Sequence, residues 1–445
     1  MLGRALRITA GTLALGLVAG VGYLLISPPD LLRVGTNYSA KIVCSNVFIA
    51  GRDAQEVLAV DVQAPGHPLL KHVSVSVDPE AQSVSAKLLG IFAPATSQYR
   101  EGLGCANTHE AQPVNAQLNT LPALSDALWP EGTTVAPAQN SKLAMVLSDP
   151  TILGKGFRAV VVVHDGRIIG EAYADGFDEN TPLLGWSMTK TITSGLIGTL
   201  IKSGQMKLTD TLVDSFPDWA EDNRQHITVE DMLTMSSGLR WNEGYGDVSD
   251  VTRMLYLSDD MAGFVTSLEA EAEPNTEFNY SSGTSTVLAR VWQDQVKDDS
   301  LSYPQRALLL PLGMTSAILE TDVSDTFVGS SYMYATARDW ARYGQFLLQG
   351  GTWDGQQILP EGFTDWMFEP VAVSGGAYAK GHLWRDVPGG EPPFEDAVWM
   401  AGHDGQSVGI FPSRDLVIVR LGLTPSDTGY SPLPLAKAVI TALGS

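Results

Sequence analysis

An α+β fold is predicted for the longer, C-terminal part of the chain, because two strand pairs bracket a run of helical segments. The first pair is "FRAVVVVHDGRIIGEAYADG", two apolar runs about Asp165-Gly166, a dipeptide that closes tight hairpins. The second is "SVGIFPSRDLVIVRLGL", two runs about "PSRD". Between them, "MTKTITSGLIGTLIKSG" sets Met188, Ile192 and Leu196 at helical spacing and stops at Gly204, and "TSTVLARVW" reads as another apolar helix. A short helix, "SKLAMVLSD", precedes the first strands, and the amphipathic "LPLAKAVITAL" follows the last. With strands at both ends, the termini of this region are expected to meet in one shared sheet.

The 445 residues exceed the usual size of one domain. Residues 141–445 form the expected α+β domain, 111–140 a Pro-, Asn- and Thr-rich connector, and 31–110 a small strand-rich domain in which "HVSVSVDPEAQSVSAKL" alternates with period two about "DPEA". Residues 1–30 hold an uncharged stretch, Ile8 to Ile26, behind Arg4 and Arg7. Its 19 residues just cross a bilayer core as a helix, and the basic flank would stay in the cytoplasm, which expects a transmembrane anchor with the remainder in the periplasm. A cleaved signal segment, leaving a secreted or periplasmic protein, is the alternative, with "VAG" at Val18 to Gly20 as the cleavage site. Outside the cytoplasm Cys44 and Cys105 can form a disulfide; two buried free thiols are the other reading. Fifty acidic against 28 basic residues, a formal charge of −22, argue against a nucleic-acid partner. Oligomeric state is not legible.

Three short stretches could carry chemistry. "GWSMTKTIT" puts Ser187 three residues before Lys190, one face of a helix's first turn. A desolvated lysine can take the proton that makes a serine hydroxyl nucleophilic, whereas the structural reading is a capping serine and a solvated lysine. "NYSSG" carries Tyr280 ahead of Ser282; a phenol near an ammonium can shuttle protons, or it is a structural tyrosine beside a helix cap. "GHDGQSVGIF" holds His403-Asp404-Gly405 and a formal G-x-S-x-G centred on Ser407. That pattern would need a helix after the serine and a later histidine, and neither follows. "HDG" also occurs at His164, in the predicted hairpin turn.

Ser-Met-Thr-Lys, Tyr-Ser-Ser and His-Asp-Gly, in this order, resemble the serine β-lactamases and penicillin-binding proteins, and within them the class C-related hydrolases. "ITVEDMLTMSSGL", "YATARDWARYGQFLLQGG" and "FPSRDLVIVRLG" extend the resemblance over roughly residues 140 to 443, and the last stretches are most similar to 6-aminohexanoate-dimer hydrolases and related esterases. The resemblance implies a β-lactamase/transpeptidase-like fold, an antiparallel sheet flanked by helices with a helical subdomain. It implies Ser187 as acylated nucleophile, Lys190 as proton acceptor, and Tyr280 as proton relay to the leaving group. It further implies main-chain N–H groups of Ser187 and Gln406 as the oxyanion hole, and Ser282, His403 and Gly405 as substrate-binding positions. No metal or other cofactor is required.

Two positions depart from the β-lactamase pattern. His403 stands where the lysine of Lys-Thr-Gly is usual, and Ser282 where class C enzymes carry asparagine. Lysine is a permanent cation for a substrate carboxylate and histidine is not, which weakens the antibiotic-resistance reading. The expectation is a serine hydrolase that opens a small-molecule amide or ester through an acyl-serine. A penicillin-binding D,D-carboxypeptidase or weak β-lactamase is the second reading, and a non-catalytic sensor of cell-wall fragments the third.

Overall fold

A computed structural model describes residues 18–109, 124–137, 139–387, 394 and 396–444. The chain divides into two compact units. The smaller comprises residues 1–100, 105–113 and 244–259, and the larger comprises 101–104, 114–243 and 260–445.

In the smaller unit, helix α1 (Asp30–Phe48) packs on an antiparallel sheet of β1 (Val73–Asp78), β2 (Ser83–Leu88), β3 (Phe92–Arg100) and β4 (Gly104–Asn107). The hairpin expected about "DPEA" is present, with Asp78 opposite Ser83. The long helix was not expected in a strand-rich segment. Small polar residues hide it: Thr36, Asn37, Ser39 and Asn46 are buried, and their side chains bond to carbonyls one turn back, at Leu32 (3.1 Å), Arg33 (2.9 Å), Gly35 (2.7 Å) and Ile42 (2.9 Å). Such back-bonding lets polar side chains face inward, so no apolar stripe of period 3.6 is written. Cys44 and Cys105 form a disulfide that ties α1 to β4. Its 61-residue separation constrains the unfolded chain by roughly 2–5 kcal/mol in the loop-entropy picture.

Most of the expected membrane segment, through residue 17, lies outside the described residues. Among the described residues no helix is long and apolar enough to cross a membrane. Residues 18–26 are helical, and Val18, Tyr23, Leu25 and Ile26 are exposed.

In the larger unit α2 (Ser141–Leu147) leads to the hairpin β5 (Phe157–His164) and β6 (Arg167–Tyr173). Its turn is the expected Asp165-Gly166, both at positive φ (49° and 72°), the two-residue turn whose twist matches the strands. Later come α3 (Thr189–Lys202), α4 (Ser282–Val296), α5 (Ala337–Leu348), the strands β7 (Tyr378–Ala379), β8 (Leu383–Trp384), β9 (Val398–Gly402), β10 (Gln406–Phe411) and β11 (Leu416–Gly422), and α6 (Leu433–Leu443). One antiparallel sheet runs in the order β7-β8-β9-β10-β11-β5-β6, so the first and last strands of the region do share a sheet. One face carries α2 and α6, through Leu143, Val160, Ile418, Leu435 and Val439; α5 packs on β5, β10 and β11. Part of the connector belongs to this unit: buried Arg342 donates to the carbonyls of Gly132 (2.7 Å) and Pro130 (3.3 Å). The rest of it, residues 110–123 and 138, lies outside the described residues.

Candidate active site

The serine sits where an awkward backbone meets a buried helix. Gly185 has no room for a side chain, since a Cβ would lie 2.2 Å from the Trp340 ring. Trp186 then adopts φ 48°, a costly conformation for a bulky residue, and it is held by Tyr332 and His403 at ring-centroid distances of 5.8 and 5.5 Å. Ser187 follows in a single 3₁₀ turn that leads into α3. From Thr189 to Leu200 every α3 residue is buried, so Lys190 cannot reach solvent as a surface lysine would.

Lys190 Nζ lies 2.9 Å from Ser187 Oγ, 3.0 Å from Ser282 Oγ and 3.1 Å from the Ser330 carbonyl. Burial disfavours its charged form and the Glu243 carboxylate partly opposes this, leaving its pKa lowered to about 8. Near neutrality the free amine is therefore far more accessible than in a surface lysine. The Tyr280 ring stands under the ammonium, 4.8 Å from centroid to Nζ, and its hydroxyl bonds to Ser187. Tyr280 keeps an exposed edge while its hydroxyl end is enclosed; burial, reinforced by Glu243, raises its pKa well above the usual phenol value. Near neutrality it is therefore held as the phenol, while the lowered pKa of Lys190 brings that group closer to its charge change.

Ser282 begins α4, where Ser281 caps the helix by accepting from Thr284 N–H (3.0 Å). The expected substrate-binding Ser282 is fully buried, with its hydroxyl against Lys190 and Glu243.

The His-Asp-Gly segment forms the turn between β9 and β10. Its entry strand comes so close to the serine turn that a Cβ on Gly402 would lie 2.2 Å from the Gly185 carbonyl. Asp404 and Gly405 both have positive φ (57° and 79°). Gln406 locks the turn with its side chain, donating to the carbonyls of His403 (3.1 Å), Asp404 (3.1 Å) and Gly422 (2.6 Å) and accepting from Gly422 N–H (2.9 Å). Behind it Arg420 is buried, donates to Gly405 O (3.1 Å), and lies over the Tyr430 ring at 4.3 Å. His403 is 39% exposed, beside the Trp186 ring. Ser407 is buried within β10, opposite Arg420, and no helix follows it, so the G-x-S-x-G reading has no elbow.

Sequence reasoning missed Glu243 and Ser330. Glu243 accepts from Ser282 Oγ (2.6 Å), Ser282 N–H (2.8 Å) and Trp241 Nε1–H (2.5 Å). It lies in the stretch "RWNEGYGDVSD", 39 residues from Ser282, where no local spacing marks it.

A family model described as Beta-lactamase matches residues 158–429. The chain is 24% identical over 292 residues to the 6-aminohexanoate-dimer hydrolase of Paenarthrobacter ureafaciens, covering 60% of this chain and 72% of that one. Among solved structures, a Bacillus anthracis protein proposed to be a 6-aminohexanoate-dimer hydrolase aligns with a TM-score of 0.57 at 21% identity, over 74% of this chain and 87% of its own. A penicillin-binding protein homologue from Caulobacter crescentus aligns with a TM-score of 0.55 at 16% identity, over 70% and 99%. Similarity this distant shows a shared fold, but the family match spans more than half of the chain and encloses the half-buried Ser187 and the buried Lys190. The chain belongs to the Beta-lactamase family and is a serine hydrolase.

Proposed function

We propose that the protein hydrolyses a small amide or ester through an acyl-serine intermediate on Ser187. The observation that carries this reading is the Lys190 Nζ, buried, its pKa lowered to about 8, and 2.9 Å from the hydroxyl it would deprotonate. The neutral amine takes the Ser187 proton as Oγ attacks the acyl carbon. Tyr280, bonded to Ser187 and beside the ammonium, passes a proton to the departing amine or alcohol. Water then attacks the acyl-serine, gives its proton back through the same pair, and frees the acid and Ser187. The N–H groups of Ser187 and Gln406 are assigned to the carbonyl oxygen, with Gln406 held by its side-chain clamp. His403 and Gly405 are assigned to the acyl donor's flank.

The acyl donor belongs with amides such as the 6-aminohexanoate dimer named in a relative, or with simple esters. His403, in place of a lysine, favours donors without a carboxylate at that flank over penicillins or D-alanyl peptides. Export, with residues 8–26 as anchor or cleaved leader, fits the Cys44–Cys105 disulfide.

Lys190→Arg tests the base directly, since arginine cannot become a neutral amine. Turnover of a p-nitrophenyl ester is expected to fall by about three orders of magnitude or more with the thermal transition retained. Near-normal turnover would eliminate Lys190 as the base.

A further inference from the structure

We infer that Glu243 is a positioning residue that aims the lone pair of Lys190 at Ser187, acting through the hydroxyl of Ser282. The inference rests on the acyl-serine reading above and concerns how its base is oriented.

Donors and acceptors around one nitrogen decide where its lone pair points. Lys190 Nζ has three oxygen neighbours: Ser187 Oγ, Ser282 Oγ and the Ser330 carbonyl. A carbonyl oxygen only accepts. Ser282 Oγ could in principle donate or accept, but it lies 2.6 Å from Glu243 Oε1, and an ionised carboxylate has nothing to donate. The Ser282 proton is therefore given to Glu243, and Ser282 can only accept from Lys190. The ammonium donates one N–H to each of its three neighbours. The neutral amine keeps two N–H bonds, which go to the two obligate acceptors, Ser282 and Ser330. Its lone pair is left facing Ser187, the only neighbour with a proton free to give. Ser282 and Lys190 are fully buried, so no water shell blurs this count.

The other carboxylate oxygen fixes what a neutral replacement would do. Glu243 Oε2 accepts from Ser282 N–H (2.8 Å) and Trp241 Nε1–H (2.5 Å). In Glu243→Gln the carbonyl oxygen stays on those two donors, so the amide NH₂ faces Ser282 Oγ. The Ser282 hydroxyl then turns its proton toward Lys190 and competes with Ser187 for the lone pair. Shape is preserved while the direction of one hydroxyl is reversed.

The test is a pH–rate profile on a p-nitrophenyl ester for wild type, Glu243→Gln, Ser282→Ala and the double variant. Charged or titratable neighbours of the lysine are Glu243, Tyr280 and His382, and of these Glu243 alone raises its pKa. Glu243→Gln is expected to lower plateau kcat by about 10- to 100-fold with KM changed less than threefold, and to move the rising limb to lower pH. In the Ser282→Ala background, where no hydroxyl remains to reverse, the same change is expected to lower kcat by less than about threefold. A kcat within twofold of wild type in Glu243→Gln, or equal losses in the two backgrounds, overturns the inference. A lower plateau with an unmoved limb also overturns it, because general loosening would do that. Fluorophosphonate labelling separates this from the reading beneath it: Ser187→Ala that still labels refutes the acyl-serine, whereas blocked labelling with an unaffected Glu243→Gln refutes only the role of Glu243.

Discussion

The chain spells His-Asp-Gly twice, and in both copies the aspartate and glycine take positive φ. At Asp165-Gly166 the φ angles are 49° and 72°; at Asp404-Gly405 they are 57° and 79°. In each the imidazole lies near the following carboxylate, at 3.3 Å and 3.5 Å. What differs is the company. A Cβ added to Gly166 would meet nothing within 4 Å, whereas one on Gly405 would meet Arg420 Nη1 at 3.0 Å and the Tyr430 ring at 3.1 Å. The first turn only reverses a hairpin. The second is gripped by Gln406, Arg420 and Thr424, whose N–H donates to Asp404 O (2.9 Å), and it opens the strand assigned to the oxyanion hole. A tripeptide can encode a turn, but its task comes from what distant sequence packs around it.

Paired substitutions break this comparison open. Alanine at either glycine pays for a left-handed conformation, about 1–2 kcal/mol. Gly405→Ala is expected also to displace the β10 edge and lower kcat/KM by about 100-fold, while Gly166→Ala keeps wild-type turnover. Urea unfolding and ester turnover on both variants check this, and equal activity losses would erase the functional difference between the turns.

A smaller effect is expected from the histidines. His403→Lys should raise the ratio of kcat/KM for a carboxylate-bearing ester to that for its methyl ester by about tenfold, since a fixed cation replaces the ring. His164→Lys should leave the ratio unchanged and stability within about 0.5 kcal/mol. A carboxylate preference already strong in wild type, and unmoved by His403→Lys, would show that another cation reads the acid and would revive the peptidase reading.

The parts legible in the sequence are those written in local spacing. Asp-Gly between apolar runs gave the β5–β6 hairpin, and the serine–lysine offset of three placed Lys190 in the first turn of α3 and Ser187 in the 3₁₀ turn that leads into it. Helix α1 was hidden because polar residues bonded to its own backbone share its inward face with Val34, Ile42 and Val43. Glu243 and the Ser330 carbonyl were hidden for another reason. Ser330 reaches Lys190 across 140 residues and Ser282 across 92, and such juxtapositions leave no periodic trace. The motif thus named the serine and lysine that meet, and only the fold showed what else surrounds them.

The proposed mechanism places acylation on Ser187 and not on Ser407. Intact-mass analysis after fluorophosphonate treatment measures it most directly, on wild type, Ser187→Ala and Ser407→Ala. One adduct is expected on wild type and on Ser407→Ala, and none on Ser187→Ala. An adduct retained in Ser187→Ala and lost in Ser407→Ala would contradict the account.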